Sequence, residues 1–76
     1  MNTMDRLKDL IDRVFEGEID TSALSPASRL KEEVGMSSIG MLYMAMALEE
    51  EFGLSLTNDD FAKLLTVSDV IAHIEG

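Results

Sequence analysis

The chain has 76 residues, of which 46% are hydrophobic but only 5% aromatic, so it can form one domain with a small, mainly aliphatic core. Fifteen Asp or Glu residues against six Lys or Arg residues give a formal net charge of −9, which argues against nucleic acid or an anionic membrane as partner and favours basic partner surfaces. The chain has no cysteine, which excludes disulfides and thiolate metal sites, and it shows no signal-like or membrane-spanning segment, so we expect a cytoplasmic protein.

The first predicted element is an amphipathic helix from Thr3 to Glu16. Its apolar residues recur at helical spacing, while charged residues occupy the other faces. The apolar stripe consists of Met4, Leu7, Ile11, Val14 and Phe15. Gly17 follows the last of them and is the predicted end of the helix.

A long loop is predicted from Glu18 to Met36, because this segment has no sustained hydrophobic period and Ser25-Pro26 interrupts any helix. A short helical turn at Ser28 to Glu33 is an open alternative. Loops of this length are usually functional or disordered in so small a domain. Four apolar residues of the loop are expected to contact the core: Ile19, Leu24, Leu30 and Val34.

The central element is a predicted helix within Gly35 to Phe52. Ser37 precedes an apolar run and is the predicted N-cap, because a serine side-chain oxygen can accept an unpaired backbone N–H. Ser38 then falls in the first turn. There the free N–H groups and the positive end of the helix dipole favour an attached negative group.

This central helix is apolar nearly all round. A core-facing stripe is predicted for Met41, Met44, Ala45, Leu48 and Phe52, and a second apolar face comprises Ile39, Leu42, Tyr43 and Met46. A helix without a polar face is usually wholly buried, but 76 residues are too few to cover one completely. The second face is therefore predicted to meet a partner or a ligand.

Two shorter helices are predicted after the central one. Thr57 or Asn58 can cap a short helix from Asp59 to Leu65, and Thr66 with Asp69 forms a capping-box-like start for a helix from Val67 to Ile74. No strand pattern competes with these helices. The sequence thus predicts an all-α fold over residues 1–76, a small bundle of three main helices plus one short helix.

Enzymatic and metal chemistry find little support in the residue pattern. His73 is the only histidine, it lies near the chain end, and neither serine sits in a GxSxG elbow. The triplet Glu49-Glu50-Glu51 points in three directions on a helix and does not have metal-ligand spacing. We therefore expect no catalytic residues and no metal site.

The start of the central helix resembles a signature of acyl carrier proteins. The family pattern hydrophobic-Gly-x-Asp-Ser-Leu is matched here by Val34-Gly-Met-Ser-Ser-Ile39. The segments Ala45 to Phe52 and Thr66 to Asp69 are also similar to that family, at the expected separations. The resemblance covers nearly the entire chain.

The resemblance implies a non-catalytic carrier. A phosphopantetheinyl transferase would move 4′-phosphopantetheine from coenzyme A onto Ser38, and acyl groups would ride as thioesters on the arm. Acyl-transferring and condensing enzymes with basic patches would be its partners, and the carrier would act as a monomer. The implied docking residues are Ser37, Ile39, Leu42, Tyr43, Met46, Glu49 and Glu50. The implied acyl cavity comprises Met41, Met44, Ala45, Leu48 and Leu64.

Three residues depart from the family pattern. Ser37 replaces the usual Asp before the modified serine, which could weaken recognition by the transferase, and Gly40 and Tyr43 make the early helix less acidic. A dedicated lipid or polyketide-type pathway is thus at least as well supported as fatty-acid synthesis. The alternatives are an aminoacyl or peptidyl carrier, and an unmodified interaction module with a Met-rich apolar groove.

Overall fold

A computed structural model describes residues 2–76 and contains four α-helices, with a long connection between the first two. They are α1 (Thr3–Val14), α2 (Ser38–Phe52), α3 (Asn58–Ala62) and α4 (Val67–Glu75). Within these residues there is no strand, only one isolated antiparallel bridge. The predicted all-α fold, with three main helices and one short one, is confirmed.

The starts of α3 and α4 are fixed by reciprocal caps. The Thr57 hydroxyl accepts the Asp60 N–H while the Asp60 carboxylate accepts the Thr57 N–H, both at 3.1 Å. Thr66 and Asp69 repeat this arrangement, as the capping-box prediction required. Hydrogen bonds donated by the capping threonines' backbones lower the pKa of both Asp60 and Asp69, because they favour the charged carboxylate.

The end of α1 lies earlier than the predicted Glu16. The last helical residue is Val14, because Glu16 and Gly17 take left-handed backbone conformations with φ of 52° and 76°. Such residues cannot continue a right-handed helix. The glycine was thus a correct stop signal, but the helix ends before it.

The bounds of the last two helices also differ from those predicted. The short helix α3 spans Asn58–Ala62 rather than Asp59 to Leu65, because the N–H groups of Lys63 and Leu64 bond to carbonyls only three residues back and the Leu65 N–H bonds to the Asp69 carboxylate. The last helix α4 continues to Glu75, one residue beyond the predicted end.

The connection between α1 and α2 contains a short 3₁₀ turn at Thr21–Ala23, in which the Asp20 side chain accepts the Ser22 N–H. The alternative short helical turn at Ser28 to Glu33 is present as a single turn that is not continued into a helix. That segment forms a hydrogen-bonded turn in which the Arg29 carbonyl accepts the N–H groups of both Glu33 and Val34.

Backbone hydrogen bonds tie this connection to the start of α4. The Pro26 carbonyl accepts the Ser68 N–H at 2.8 Å and the Ser28 carbonyl accepts the Val67 N–H at 3.0 Å. Arg29 pairs with Thr66 in the isolated bridge. The long loop is therefore anchored rather than free.

The core lies where α1, α2, α4 and the connection meet. Its buried residues are Leu7, Leu10, Ile11, Leu24, Leu30, Met36, Met41, Met44, Ala45, Leu48, Leu64, Val67 and Val70. The predicted loop contacts are confirmed: Leu24 and Leu30 are buried, and Ile19 and Val34 pack against the cluster. None of the helices in residues 2–76 is long and apolar enough to cross a membrane.

Candidate functional site

The first turn of α2 presents an exposed serine beside a capping serine. Ser37 is the N-cap, as predicted, and its Oγ accepts the Gly40 N–H at 3.0 Å. Ser38 is the first helical residue and is exposed. Within residues 2–76 the Ser38 hydroxyl makes no hydrogen bond. Because Ser37 performs the capping, the Ser38 hydroxyl is available at the positive end of the helix dipole.

Gly40 lies on the inner side of this turn. It is buried, and a Cβ atom built on it would lie 3.1 Å from Cε1 of Phe15 and 3.3 Å from Oγ of Ser37. The end of α1 thus packs directly against the turn that carries Ser38. No local pattern in the sequence indicates this contact, and Gly40 does not belong to the exposed face.

The second apolar face of α2 is uncovered, as the sequence predicts. Its side chains are between 51% and 63% exposed, and they are Ile39, Leu42, Tyr43 and Met46. We call this set the α2 apolar face. The opposite face is buried in the core, as predicted for Met41, Met44, Ala45 and Leu48.

The three acidic residues at the end of α2 have different surroundings. The half-buried Glu49 accepts the Leu56 N–H at 2.9 Å, which fastens the loop after α2. Glu51 pairs with Arg13 of α1 at 2.9 Å. Glu50 is exposed and has no ion pair within the described part of the chain. Of the two predicted rim acids, only Glu50 is therefore unengaged.

A cavity of about 470 Å³ lies between the Arg29–Glu32 turn, α2 and α3. Of the five residues predicted for an acyl cavity, Met41 and Leu64 line it. The other three, Met44, Ala45 and Leu48, lie in the packed core. Its charged lining residues, Arg29 and Lys31 among them, were not singled out from the sequence, because nothing in the local pattern indicates which loop residues face α3.

A family model described as a phosphopantetheine attachment site matches residues 5–74. The chain belongs to the acyl carrier protein family. Acyl carrier proteins carry 4′-phosphopantetheine, and they are carriers rather than catalysts, as the resemblance implied. No cluster of three or more potential metal ligands occurs in residues 2–76.

Three acyl carrier proteins are similar over nearly their whole length. The protein from Helicobacter hepaticus is 32% identical over 76 residues, covering 100% of this chain and 97% of its own. The protein from Nitratidesulfovibrio vulgaris is 32% identical over 72 residues, covering 92% and 95%. The protein from Campylobacter fetus is 30% identical over 76 residues, covering 100% and 96%.

Ser38 fits the needs of a carrier's attachment residue. An exposed hydroxyl without an intramolecular partner is accessible to a transferring enzyme. Backbone N–H groups at the start of α2 would stabilise the phosphodiester charge next to it. The neighbouring Ser37 hydroxyl is already engaged by the Gly40 N–H.

Proposed function

We propose that this chain is an acyl carrier, one domain over residues 1–76, with Ser38 as the attachment residue. The observation that carries the proposal is the free, exposed Ser38 hydroxyl at the start of α2. In the transfer step the Ser38 oxygen forms a bond to the phosphorus that carries pantetheine in coenzyme A. The bond from that phosphorus to the adenosine bisphosphate breaks, and the hydroxyl proton is lost to a base of the transferase.

The α2 apolar face is the proposed docking surface for partner enzymes. Exposed apolar side chains that form one contiguous helix face are typical of interaction sites. Exposed Glu50 at the end of that face, together with the net charge of −9, favours partners with basic rims around an apolar centre. The proposed partners are a phosphopantetheinyl transferase and enzymes that transfer or condense acyl groups.

The early part of α2 favours a specialised pathway. The helix α2 carries no acidic residue before Glu49, so its first turns offer apolar contact rather than charge. A dedicated lipid or polyketide-type route fits this surface at least as well as fatty-acid synthesis. We further propose that the carrier works as a monomer in the cytoplasm.

The attachment is tested by intact-protein mass after incubation with coenzyme A and a broad-specificity phosphopantetheinyl transferase. One added phosphopantetheine is expected on the parent chain and on Ser37→Ala, and none on Ser38→Ala. Ser37→Ala is expected to lose about 1 kcal/mol of stability, since it removes a helix cap, so the mass should be measured well below its thermal midpoint.

An unmodified parent chain, under conditions that modify a control carrier, would favour the interaction-module alternative or a dedicated transferase. Modification that persists in Ser38→Ala but disappears in Ser37→Ala would move the attachment to the capping serine. The second result would contradict the assignment of Ser38, and the first would contradict the carrier function if transferases of other specificities also failed to modify the chain.

A further inference from the structure

A second cavity, of about 270 Å³, lies within the connection between α1 and α2. We call it the connection cavity. Its apolar lining includes Ile19, Leu24 and Val34, which belong to the hydrophobic core or pack against it. The volume is below the range of about 300–1,000 Å³ that is usual for small-molecule sites. The connection cavity therefore suits a single side chain better than a whole small ligand.

The charged residues that line the connection cavity are both acidic. They are Asp20 and Glu33, and no Arg or Lys of residues 2–76 lines it. The two cations of the connection, Arg29 and Lys31, line the other cavity instead, and the Arg29 guanidinium makes its ion pair with Glu32 at 2.8 Å. Within the described part of the chain, neither lining carboxylate has an ion pair. A cation from another molecule would thus find two complementary charges here.

Hydrogen bonds hold both carboxylates in place and leave one oxygen of each free. Oδ1 of Asp20 accepts the Ser22 N–H at 3.1 Å and the Ser22 hydroxyl at 2.5 Å. Oε1 of Glu33 accepts the Arg29 N–H at 3.0 Å. Oδ2 of Asp20 and Oε2 of Glu33 accept no hydrogen bond from residues 2–76. Because the carboxylates are already positioned, they lose little conformational freedom when a cation binds.

The connection cavity lies close to the attachment turn. Val34, in its lining, precedes Ser38 by four residues. Such a segment spans at most about 14 Å even when fully extended, so a partner that reaches Ser38 can also contact the cavity. Long connections in small domains are usually functional when they are ordered, and this one is anchored to the start of α4 by backbone hydrogen bonds.

We propose that the connection cavity binds an arginine side chain of a partner enzyme that acts on the Ser38 arm. The alkyl stem of the arginine contacts Leu24 and Val34. Its guanidinium donates to the free oxygens of Asp20 and Glu33, because a planar fork of N–H donors can serve two carboxylates at once. This inference rests on the proposed carrier function and adds a partner contact outside α2.

The first measurement titrates the full chain with propylguanidinium, an analogue of the arginine side chain, and follows backbone amide shifts by NMR at constant ionic strength. Propylurea, which has nearly the same shape but no charge, is the control ligand. The cavity variant is Asp20→Asn with Glu33→Gln, whose amide oxygens can still accept the same backbone N–H groups. The control variant is Glu16→Gln with Glu18→Gln, an equal charge change at exposed residues of the connection that do not line the cavity.

Propylguanidinium is expected to shift the amides of Leu24 and Val34 saturably in the parent chain and in the control variant. Its affinity should fall about threefold to tenfold in the cavity variant, as for the loss of two exposed ion pairs. Propylurea should cause much smaller shifts. Equal affinity in all three proteins, or equal shifts from both ligands, would overturn the proposal.

A second measurement determines whether a partner enzyme uses the connection cavity. The dissociation constant of a partner synthase for the chain should rise about threefold to tenfold in the cavity variant and much less in the control variant. An equal rise in both would indicate attraction to net negative charge, and no rise in either would show that the synthase does not contact the cavity; both results contradict the proposal. Neither measurement needs phosphopantetheine, so failure of its transfer to Ser38 remains a separate result.

Discussion

Gly40 is the residue at which the end of α1 meets the first turn of α2. Glycine within a helix costs about 1 kcal/mol relative to alanine, so its presence needs a packing reason. The Phe15 ring supplies one, because an added Cβ would lie 3.1 Å from it. Glycine at position 40 thus lowers the helix propensity of α2 but allows α1 and α2 to pack closely.

This contact predicts coupling between the two residues in the free energy of unfolding. Gly40→Ala should gain less than the full ~1 kcal/mol of helix propensity in the parent chain, because the Phe15 ring must move. In a Phe15→Leu background the same change should gain more, by about 0.5–1 kcal/mol. Urea denaturation of the four proteins measures this difference.

Phe61→Leu provides the matched control, since it also shortens an aromatic side chain but does not contact Gly40. The effect of Gly40→Ala should be the same with and without it. A gain from Gly40→Ala that is equal in the parent and in Phe15→Leu would show that the ring moves freely, and the packing explanation would fail.

At the scale of the element, the apolar residues of α2 form two groups, one buried in the bundle and one exposed. Met44 and Leu48 are almost completely buried, at 0% and 1% exposure, so they hold the helix in the bundle. Leu42 and Met46 are more than half exposed and contribute little to that packing. A polar substitution on the outer face should therefore affect partners and leave the fold intact.

Leu42→Glu and Met46→Glu are each expected to slow acyl transfer from a partner synthase by roughly tenfold, the effect of losing about 1.4 kcal/mol of interaction. Helical content measured by circular dichroism should stay unchanged. Ala27→Glu introduces the same charge at an exposed loop position and should leave transfer nearly unaffected. If all three variants transfer at the parent rate, the α2 apolar face is not the docking surface.

The helices were predictable from the sequence to the extent that local chemistry defines them. Ser37, Thr57 and Thr66 are capping residues whose side chains act on N–H groups three positions away, and such short-range signals appear in the sequence. The exposed and buried faces of α2 followed from helical spacing. The position of Ser38 in the first turn followed from the cap before it.

The features that escaped prediction depend on residues distant in the chain. The contact of Phe15 with Gly40 and the pairing of Arg29 with Thr66 join segments that no local period connects. The 3₁₀ turn at Thr21–Ala23 was missed for a different reason, because its hydrogen bonds are local but its segment has no hydrophobic period. That Lys31 lines a cavity could not be predicted, because most of the other lining residues come from α2 and from residues 61–69.

At the scale of the whole molecule, excess negative charge opposes the compact state. The net charge of −9 is confined to a globule whose Cα radius of gyration is 11.0 Å. This size is comparable to the Debye length of about 10 Å at 0.1 M salt. Charges on different sides of the molecule therefore repel one another at low ionic strength.

The thermal midpoint is expected to rise by several degrees when NaCl is increased from 0.01 M to 0.5 M, since ~1 kcal/mol corresponds to about 4–8 °C in a domain of this size. Magnesium should act at lower concentration. Glu50→Gln removes one exposed, unpaired acid, so it should raise the midpoint at low salt and reduce the salt effect. A midpoint insensitive to both salts would contradict charge repulsion as a destabilising factor.

The exposure of Tyr43 gives the molecule a built-in optical reporter. It is the single tyrosine of a chain without tryptophan, and its ring stands 57% exposed on the α2 apolar face. Ultraviolet tyrosine emission from the isolated protein therefore comes from the one ring that a docking partner would cover. Association on that face and association elsewhere can thus be distinguished with the unlabelled protein, provided the partner itself lacks overlapping emission.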